Sequence, residues 1–289
     1  MCLDDLVMSE YSERRTFLKS TDDFIQRAAG IRLVATDLDG TLLVNPDEVP
    51  EDFMEWVSRH PDICIVIASG RQYYNLRKLF DKHKDRLVFV AENGGIVFEG
   101  DRALYINEMS KKDVWECMDR IGEKGTQSVI LCGEKSAYMR HASPEVEKNA
   151  AYYYERLTFV EDLAACIQTD KIVKIAVYFE EHDAERNYDR LCGINERVQA
   201  SLSGECWIDL SNNNADKGNA LTVIQKYYHI SREECMAFGD YLNDYGLLIN
   251  SAESYAMENA HPDLKKIAKH IAPSNREGGV QKVLTSVFG

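Results

Sequence analysis

The stretch IRLVATDLDGTLL, residues 31–43, decides the fold of this 289-residue chain. Its first half is apolar without a clean alternation of polar residues, which predicts a strand buried on both faces within a parallel sheet. The run then ends in Asp37 and Asp39, two carboxylates at alternate positions, before Gly40. Ligands bind beyond the carboxyl ends of such strands, so this segment predicts a binding site. Taken alone, an Asp-Gly pair is equally typical of a turn.

Side chains two apart on a strand share a face, so Asp37 and Asp39 could be neighbours. Two uncompensated carboxylates there would repel each other and raise the pKa of one of them, and a divalent cation is the usual remedy. A second apolar run, residues 63–68, predicts another buried strand that ends in Ser69, Gly70 and Arg71. These residues offer a hydroxyl and free N–H groups where the next helix begins, although an N-cap serine with a flexible glycine is the simpler interpretation.

Two further segments place chemistry-bearing residues at element ends. Lys217 opens a helical pattern in DKGNALTVIQKYY, a position that the helix dipole slightly disfavours for a cation. The apolar run CMAFG leads to Asp240, Asn243 and Asp244, and the two aspartates would repel on one helix face unless a cation or a cap engages them. Carboxylate and amide oxygens of this kind suit Mg²⁺ better than a softer metal.

The motifs DLDGTL, ASGR, DKG and GDYLND occur in this order, each at a strand end or a helix start. Together they resemble the haloacid dehalogenase-like superfamily of phosphatases. The segment AENGG at residues 91–95, the large insertion and the tail APSNREGGVQKVL resemble the Cof-type phosphatases within it. The resemblance runs from about residue 31 to the C-terminus. It implies an α/β fold with a doubly wound, Rossmann-like parallel-sheet core and an inserted α/β cap domain.

The resemblance also implies roles for the matching residues. Asp37 would be the nucleophile that becomes an aspartyl-phosphate, and Asp39 the general acid and then the general base. Mg²⁺ would be held by the carboxylate of Asp37, the backbone carbonyl of Asp39 and the carboxylate of Asp240, with Asp244 as a further ligand or as an anchor for the ion's waters. The phosphate-binding residues would be Ser69, Gly70, Lys217, Asn243, Thr41 and Arg71. Arg71 either touches substrate or only braces its loop.

Residues 101–209 separate the motifs and alternate helical with strand patterns, which predicts an α/β cap domain for substrate selection. Helices are predicted at residues 111–125, 143–157 and 183–199, and strands at 127–133, 171–179 and 205–211. Residues 31–100 and 210–289 would then form the catalytic core, and residues 1–30 a helical extension. Arg140, His141 and Lys174 are possible substrate contacts in the cap, but a solvated surface position is the stronger interpretation for them.

Composition limits the function classes. The chain has 34 Lys and Arg against 48 Asp and Glu, a net charge of −14, which opposes binding to nucleic acid or to anionic membranes. Eight cysteines without CxxC spacing are typical of a reducing compartment, and no apolar stretch is long enough for a membrane span. A cytoplasmic location is therefore expected. The sequence does not define the oligomeric state.

These observations predict a Mg²⁺-dependent phosphomonoester hydrolase that acts on small phosphorylated metabolites, such as sugar phosphates. One alternative is a phosphotransferase or phosphomutase that uses the same aspartates but protects the aspartyl-phosphate from water. The other is a non-catalytic binding protein on this scaffold. It is disfavoured because every residue that the chemistry requires is present, namely Asp37, Asp39, Ser69, Lys217 and Asp240.

Overall fold

A computed structural model describes residues 30–122 and 127–289 of the chain. The helical extension predicted for residues 1–30 lies outside the described residues, apart from Gly30. None of the helices in the described ranges has the length and apolar character needed to span a bilayer.

The chain first alternates strands with helices and then forms a strand hairpin. These elements are β1 (Leu33–Asp37), α1 (Glu51–Arg59), β2 (Cys64–Ala68), α2 (Tyr73–Leu79), β3 (Leu87–Ala91), β4 (Ile96–Glu99) and β5 (Arg102–Ile106). The middle of the chain contains α3 (Lys111–Ile121), β6 (Gln127–Gly133), β7 (Ala137–Met139), α4 (Pro144–Tyr153), β8 (Leu157–Phe159), α5 (Leu163–Thr169), β9 (Ile172–Phe179), α6 (Ala184–Leu191), β10 (Val198–Leu202) and β11 (Trp207–Asn212). The last part contains α7 (Lys217–Tyr228), β12 (Cys235–Gly239), α8 (Tyr245–Ile249), β13 (Glu253–Met257), α9 (Pro262–Ile267), β14 (His270–Ala272) and α10 (Gly279–Phe288).

Eight strands form one sheet, which we call the core sheet, in the order β14-β13-β12-β1-β2-β3-β4-β5. The six strands from β14 to β3 are parallel, and β4 and β5 continue the sheet in antiparallel pairing. All five residues of β1 are buried, as expected for a central strand covered on both faces. The chain leaves β1 towards β2 and returns on the other side through β12, so a topological switch point lies beside β1.

The connections explain why helices cover both faces of the core sheet. A crossover between parallel strands is nearly always right-handed. The β1–α1–β2 and β12–α8–β13 crossovers advance along the sheet in opposite directions from β1. Right-handed connections in opposite directions place α1 and α8 on opposite faces. The predicted α/β fold class, with a parallel core and an inserted α/β unit, is confirmed.

The insertion forms its own sheet, the insertion sheet, in the order β10-β11-β9-β6-β7-β8. Its pairs are antiparallel except for β7 with β8. One face packs against α3, α5 and α6, and the buried side chains there include Val114, Ile167 and Leu191. On the other face, α4 contributes Val146 and Ala150 to a smaller cluster that includes Trp207.

The secondary structure differs from the prediction at several places in the insertion. The helix predicted over residues 183–199 ends at Leu191, because Cys192 is extended and Gly193 has a φ of +63°. The last residues of that range instead begin β10. The strand β5 pairs with β4, so the core sheet reaches Ile106, beyond the predicted limit at residue 100. The short elements β7, β8 and α5 were not predicted, because three to seven residues carry too little periodicity to identify.

Contacts near α2 attach the insertion to the core. The side-chain amide of Gln72 donates to the carbonyl of Arg156 at 3.0 Å and accepts from the N–H of Arg156 at 2.9 Å. The guanidinium of Arg156 lies 3.6 Å from the ring centre of Tyr74. Lys78 forms an ion pair with Glu155 at 2.8 Å. Gln72 follows directly after the ASGR segment, so these contacts hold the insertion close to that segment.

Candidate active site

The nucleophile candidate Asp37 is the last residue of β1, at the switch point of the core sheet. It is buried, and its Oδ1 atom lies 2.5 Å from the Nζ atom of Lys217. Lys217 is completely buried and donates a second hydrogen bond to Oδ1 of Asp244 at 2.6 Å. Lys217 is therefore not an ordinary exposed residue at the start of a helix, because two carboxylates bind its ammonium group.

Glycines explain how Lys217 comes this close. The lysine begins α7, where the side chain of Asp216 caps the helix by accepting from the N–H of Asn219. A Cβ atom on Gly218 would lie 2.5 Å from the Cα atom of Gly246 in α8. The two helices can approach only because both positions are glycine, and this approach positions Lys217 against Asp244.

Asp240 and Asp244 lie in the loop after β12 rather than on one helix face, because α8 begins only at Tyr245. The Oδ2 atom of Asp244 accepts from the backbone N–H groups of Asp240 at 2.9 Å and Tyr241 at 3.2 Å, which fixes the loop. The hydroxyl of Thr41 donates to Oδ1 of Asp240 at 3.0 Å. The loop is thus folded around one carboxylate, and the other carboxylate is directed towards the segment that carries Asp37.

Asp37, Asp240 and Asp244 each offer a carboxylate oxygen within 4.8 Å of the other two. The cluster contains three carboxylates and one ammonium, that of Lys217, which contacts Asp37 and Asp244. It therefore has an excess of negative charge. Burial raises the pKa of Asp37 well above its usual range, and the charge of Asp244 raises it further, although Lys217 acts in the opposite direction. Burial and then Asp244 also raise the pKa of Asp240. An all-oxygen donor set with uncompensated negative charge fits a hard divalent cation such as Mg²⁺.

Asp39 does not join this group through its side chain. Its carboxylate is half exposed and accepts two hydrogen bonds from Arg71, one from Nε at 2.9 Å and one from Nη2 at 2.5 Å. Asp37 and Asp39 were expected to be neighbours on one face of a strand. The two carboxylates have different partners instead, because β1 ends at Asp37 and the chain turns immediately after it. Three successive N–H groups, from Thr41 to Leu43, point to the carbonyl of Leu38. Arg71 therefore orients the Asp39 carboxylate in this structure.

The other phosphate-site candidates lie around one loop. Ser69 is buried at the end of β2, and its Oγ atom accepts from the N–H of Arg71 at 3.2 Å. A Cβ atom on Gly70 would lie 3.0 Å from the side-chain amide of Asn93. Asn243 is exposed and donates to Oδ1 of Asn93 at 3.0 Å. The structure therefore brings Ser69, Gly70 and Asn243 together through Asn93, a residue that the sequence analysis noted only as part of the AENGG motif.

Two asparagines that the sequence analysis missed fix the loop after β1. The side chain of Asn259 donates to the carbonyl of Gly40 at 2.8 Å, and the side chain of Asn275 donates to the carbonyl of Leu43 at 2.7 Å. The N–H of Asn275 also donates to Oδ1 of Asn259 at 3.1 Å. In the sequence, only the SNREGG tail, which contains Asn275, could have indicated a role for one of these residues. A single loop asparagine such as Asn259 gives no such indication.

Gly40 provides a direct test of this geometry. It has a φ of +86°, and a Cβ atom added there would overlap the Oδ2 atom of Asp240. We expect Gly40→Ala to displace Asp240 and to lower kcat/KM by about 10²-fold, because a small misplacement of reacting groups is costly. Gly193→Ala is the matched control, since Gly193 has a φ of +63° and nothing within 4 Å of the added atom. A loss of activity of equal size in the control would show that backbone strain alone is responsible.

The fold and the site together define an α/β enzyme with a carboxylate and lysine cluster at the switch point of a parallel sheet. A model of the haloacid dehalogenase-like hydrolase family matches residues 34–284. The 5-amino-6-(5-phospho-D-ribitylamino)uracil phosphatase YbjI of Escherichia coli is 31% identical over 263 residues, which cover 89% of this chain and 96% of that protein. The chain belongs to the haloacid dehalogenase-like hydrolase family, and the predicted enzyme class, a phosphatase, is confirmed.

Solved structures agree with this assignment. SMU.1108c from Streptococcus mutans is 27% identical, with a TM-score of 0.76, and the match covers 88% of this chain and 98% of that one. A Thermotoga maritima protein has a TM-score of 0.79 at 21% identity, with 90% of this chain and 98% of that one covered. The second similarity shows the fold alone.

Proposed function

We propose that this chain is a Mg²⁺-dependent phosphomonoester hydrolase that acts on small phosphorylated metabolites through an aspartyl-phosphate on Asp37. The observation that carries the proposal is the position of Asp37 beside the buried Asp244 and Lys217 and the half-buried Asp240 at the switch point of the core sheet. The class of substrate is supported by the E. coli relative, whose name specifies a phosphorylated ribityl compound.

In the first step, Asp37 attacks phosphorus, the P–O bond to the leaving group breaks, and the leaving oxygen takes a proton from the carboxylic acid form of Asp39, which becomes a carboxylate. In the second step, Asp39 removes a proton from water, which attacks phosphorus and releases inorganic phosphate from Asp37. Arg71 donates to both oxygens of the ionised Asp39 carboxylate. This pairing is that of the base form of Asp39, the form that acts in the second step. Asp39 is half exposed, which leaves it accessible to an alcohol and to water.

The remaining residues stabilise the charge of the transferring phosphoryl group. Lys217 contacts Asp37 directly and would neutralise phosphoryl oxygens next to it. The hydroxyl of Ser69, the N–H of Gly70 and the amide of Asn243 would donate to those oxygens. Thr41 holds Asp240 in place.

The carboxylates of Asp37 and Asp240 and the backbone carbonyl of Asp39 would hold the metal ion, with Asp244 as a further ligand or as an anchor for its waters. When bound, Mg²⁺ would neutralise charge that develops on the phosphoryl oxygens. Asp244 is already engaged by Lys217 and by two backbone N–H groups, which favours the anchoring role.

We also propose a division of labour between the two sheets. All the residues assigned to chemistry lie in the core sheet or its loops, whereas residues of the insertion would contact the leaving group. We place the enzyme in the cytoplasm, because the seven cysteines of the described residues are free thiols, which suits a reducing compartment.

The proposal is tested by release of p-nitrophenol from p-nitrophenyl phosphate with and without Mg²⁺, followed by product analysis with sugar phosphates. A hydrolase gives one inorganic phosphate for each alcohol released. Phosphate that reappears on a second alcohol would favour the phosphotransferase alternative. No release in the presence of Mg²⁺ would favour a binding protein on this scaffold.

A further inference from the structure

Residues 92–95, with the sequence ENGG, form a turn directly after β3, which we call the ENGG turn. Glu92 and Asn93 both have a left-handed backbone, with φ of +52° and +54°. This conformation is uncommon for a residue with a Cβ atom, and strained backbone of this kind occurs preferentially at functional sites. A Cβ atom on Gly94 would overlap the carbonyl oxygen of Asp216, so the turn packs against the N-cap of α7. The ENGG turn is therefore a candidate for a role in the site.

Backbone hydrogen bonds attach the ENGG turn to the ASGR segment. The N–H of Glu92 donates to the carbonyl of Arg71 at 3.1 Å, and the N–H of Asn93 donates to the carbonyl of Ser69 at 3.0 Å. A Cβ atom on Gly70 would lie 3.0 Å from Nδ2 of Asn93. The side-chain amide of Asn93 thus lies directly against the segment that we assign to the phosphate.

The acidic side chain of the ENGG turn binds the insertion. Oε2 of Glu92 lies 2.6 Å from Nζ of Lys174 in β9, and both side chains are buried. The interpretation of Lys174 as a solvated surface residue is therefore wrong, whereas Arg140 and His141 are exposed as expected. The ion pair fixes the ENGG turn from the side of the insertion.

The side chain of Asn93 holds that of Asn243. Nδ2 of Asn243 donates to Oδ1 of Asn93 at 3.0 Å. Asn243 is exposed, and within residues 30–122 and 127–289 its side-chain amide has no hydrogen-bond partner besides Asn93. An exposed side chain without such a partner regains its rotamer freedom. Asn93 therefore determines the direction of the Asn243 amide.

This direction matters because donors accelerate phosphoryl transfer most when they are already in place. In the proposed mechanism, the amide of Asn243 and the N–H of Gly70 both donate to the phosphoryl oxygens. They belong to different loops, one after β12 and the other after β2. Asn93 contacts both loops, and so it sets the position of one donor relative to the other.

We propose that Asn93 is a positioning residue for phosphoryl transfer, which holds the amide of Asn243 against the ASGR segment so that both loops meet the same phosphoryl group. This inference rests on the proposed function, which assigns Asn243 to that group. Asn93 acts through Asn243 and does not need to contact the substrate. Because all phosphomonoesters share the phosphoryl group, loss of Asn93 affects all of them to the same extent.

Asn93→Gly removes the side chain and keeps the turn, because glycine adopts a positive φ without strain. We expect kcat/KM to fall about tenfold, with p-nitrophenyl phosphate and with sorbitol phosphate alike. The inhibition constant of inorganic phosphate, which has no leaving group, should rise by a similar factor. An inhibition constant does not depend on the amount of active enzyme, so partial unfolding of the variant does not change it.

A double-mutant cycle with Asn243→Ala separates positioning from a merely structural role. If Asn93 acts through Asn243, Asn243→Ala alone lowers kcat/KM at least as much as Asn93→Gly does, and the double variant has the activity of Asn243→Ala. Losses that multiply in the double variant would show that Asn93 acts independently of Asn243 and would overturn the inference. Unchanged kinetics of either single variant would overturn it as well.

His229→Gly is the matched control. His229 has a φ of +53°, is exposed and caps the C-terminal end of α7, whereas Lys217 lies at the other end of that helix. Its kcat/KM and its inhibition constant for phosphate are expected to match those of the wild type. An equal loss in the control would assign the effect to the backbone and contradict the inference. Failure of the proposed function is a different result, in which the wild type hydrolyses neither substrate in the presence of Mg²⁺.

Discussion

Asp37→Asn is expected to lower kcat by about 10⁴-fold or more, because no other group in the site can replace a covalent nucleophile. The amide is nearly isosteric with the carboxylate but does not attack phosphorus. Asp37 is buried against Lys217, and Asp244 is already engaged by that lysine and by the Asp240 loop. The loss should therefore appear with every substrate, including p-nitrophenyl phosphate, whose leaving group needs no proton.

The variant should remain folded, which makes its inactivity informative. The pKa of Asp37 is raised by burial and by Asp244, so its ionisation at neutral pH costs folding free energy in the metal-free protein. A neutral asparagine removes this cost, and Lys217 keeps Asp244 as its partner. The Tm without Mg²⁺ is expected not to fall. Asp47→Asn, at an exposed position in the loop before α1, is the control for the substitution itself.

Activity of Asp37→Asn close to that of the wild type, with contaminating phosphatase removed, would contradict the assignment of the nucleophile. A direct readout is available besides turnover. Acid quenching during hydrolysis of a ³²P-labelled substrate should trap label on the wild type and none on Asp37→Asn. Label on the variant would place the nucleophile elsewhere in the chain.

The sequence was sufficient to predict the strand positions that matter most. β1, β2 and β12 are apolar runs; β1 ends in Asp37, β2 is followed by Ser69 and β12 by Asp240. Such runs predict central parallel strands because both faces of these strands are buried. Since the carboxyl ends of parallel strands meet at one edge, Asp37, Ser69 and Asp240 could be brought together without a structure. Strand order was not needed for this step.

The side-chain directions could not be predicted in the same way. Asp39 lies two residues after Asp37, but the chain leaves the strand between them, so the rule of alternating faces does not apply. Lys174 lies in the middle of KIVKIAVYF, and a lysine at such a position is typical of a solvated side chain on a half-exposed strand. Its burial depends on Glu92, a residue of the core that only the tertiary structure places against it.

Removal of the metal ion is expected to have the second large effect on hydrolysis. Chelation is expected to abolish hydrolysis, and Mg²⁺ should restore it, because the three clustered carboxylates require a cation to lie close to a phosphate dianion. Ca²⁺ should not restore activity, since its larger and more variable coordination misplaces the nucleophile. Activity that persisted after thorough chelation would show that Asp37, Asp240 and Asp244 serve another purpose.

Asp240→Asn separates metal binding from chemistry within this prediction. In the proposed mechanism Asp240 forms no bond to phosphorus. In Asp240→Asn, Thr41 can still donate to the amide oxygen of the new side chain. Loss of one charged ligand should raise the Mg²⁺ concentration needed for half-maximal activity by about 10-fold to 100-fold. Asp263→Asn, in which a 62% exposed carboxylate is replaced, should titrate as the wild type does.

Thermal unfolding provides a readout that does not depend on turnover. A cation that binds only the folded chain raises its Tm with concentration, and here it also relieves the repulsion among three clustered carboxylates, two of which are buried. The Tm of the wild type should therefore rise as Mg²⁺ is added, and the rise should begin at higher concentrations in Asp240→Asn.

The metal-free variant should itself be no less stable than the metal-free wild type, because burial and Asp244 raise the pKa of Asp240 and its ionised form is costly. If Asp240→Asn and the wild type gave the same Mg²⁺ titration in both unfolding and activity, the assignment of Asp240 as a ligand would be wrong even though Asp37 remained the nucleophile.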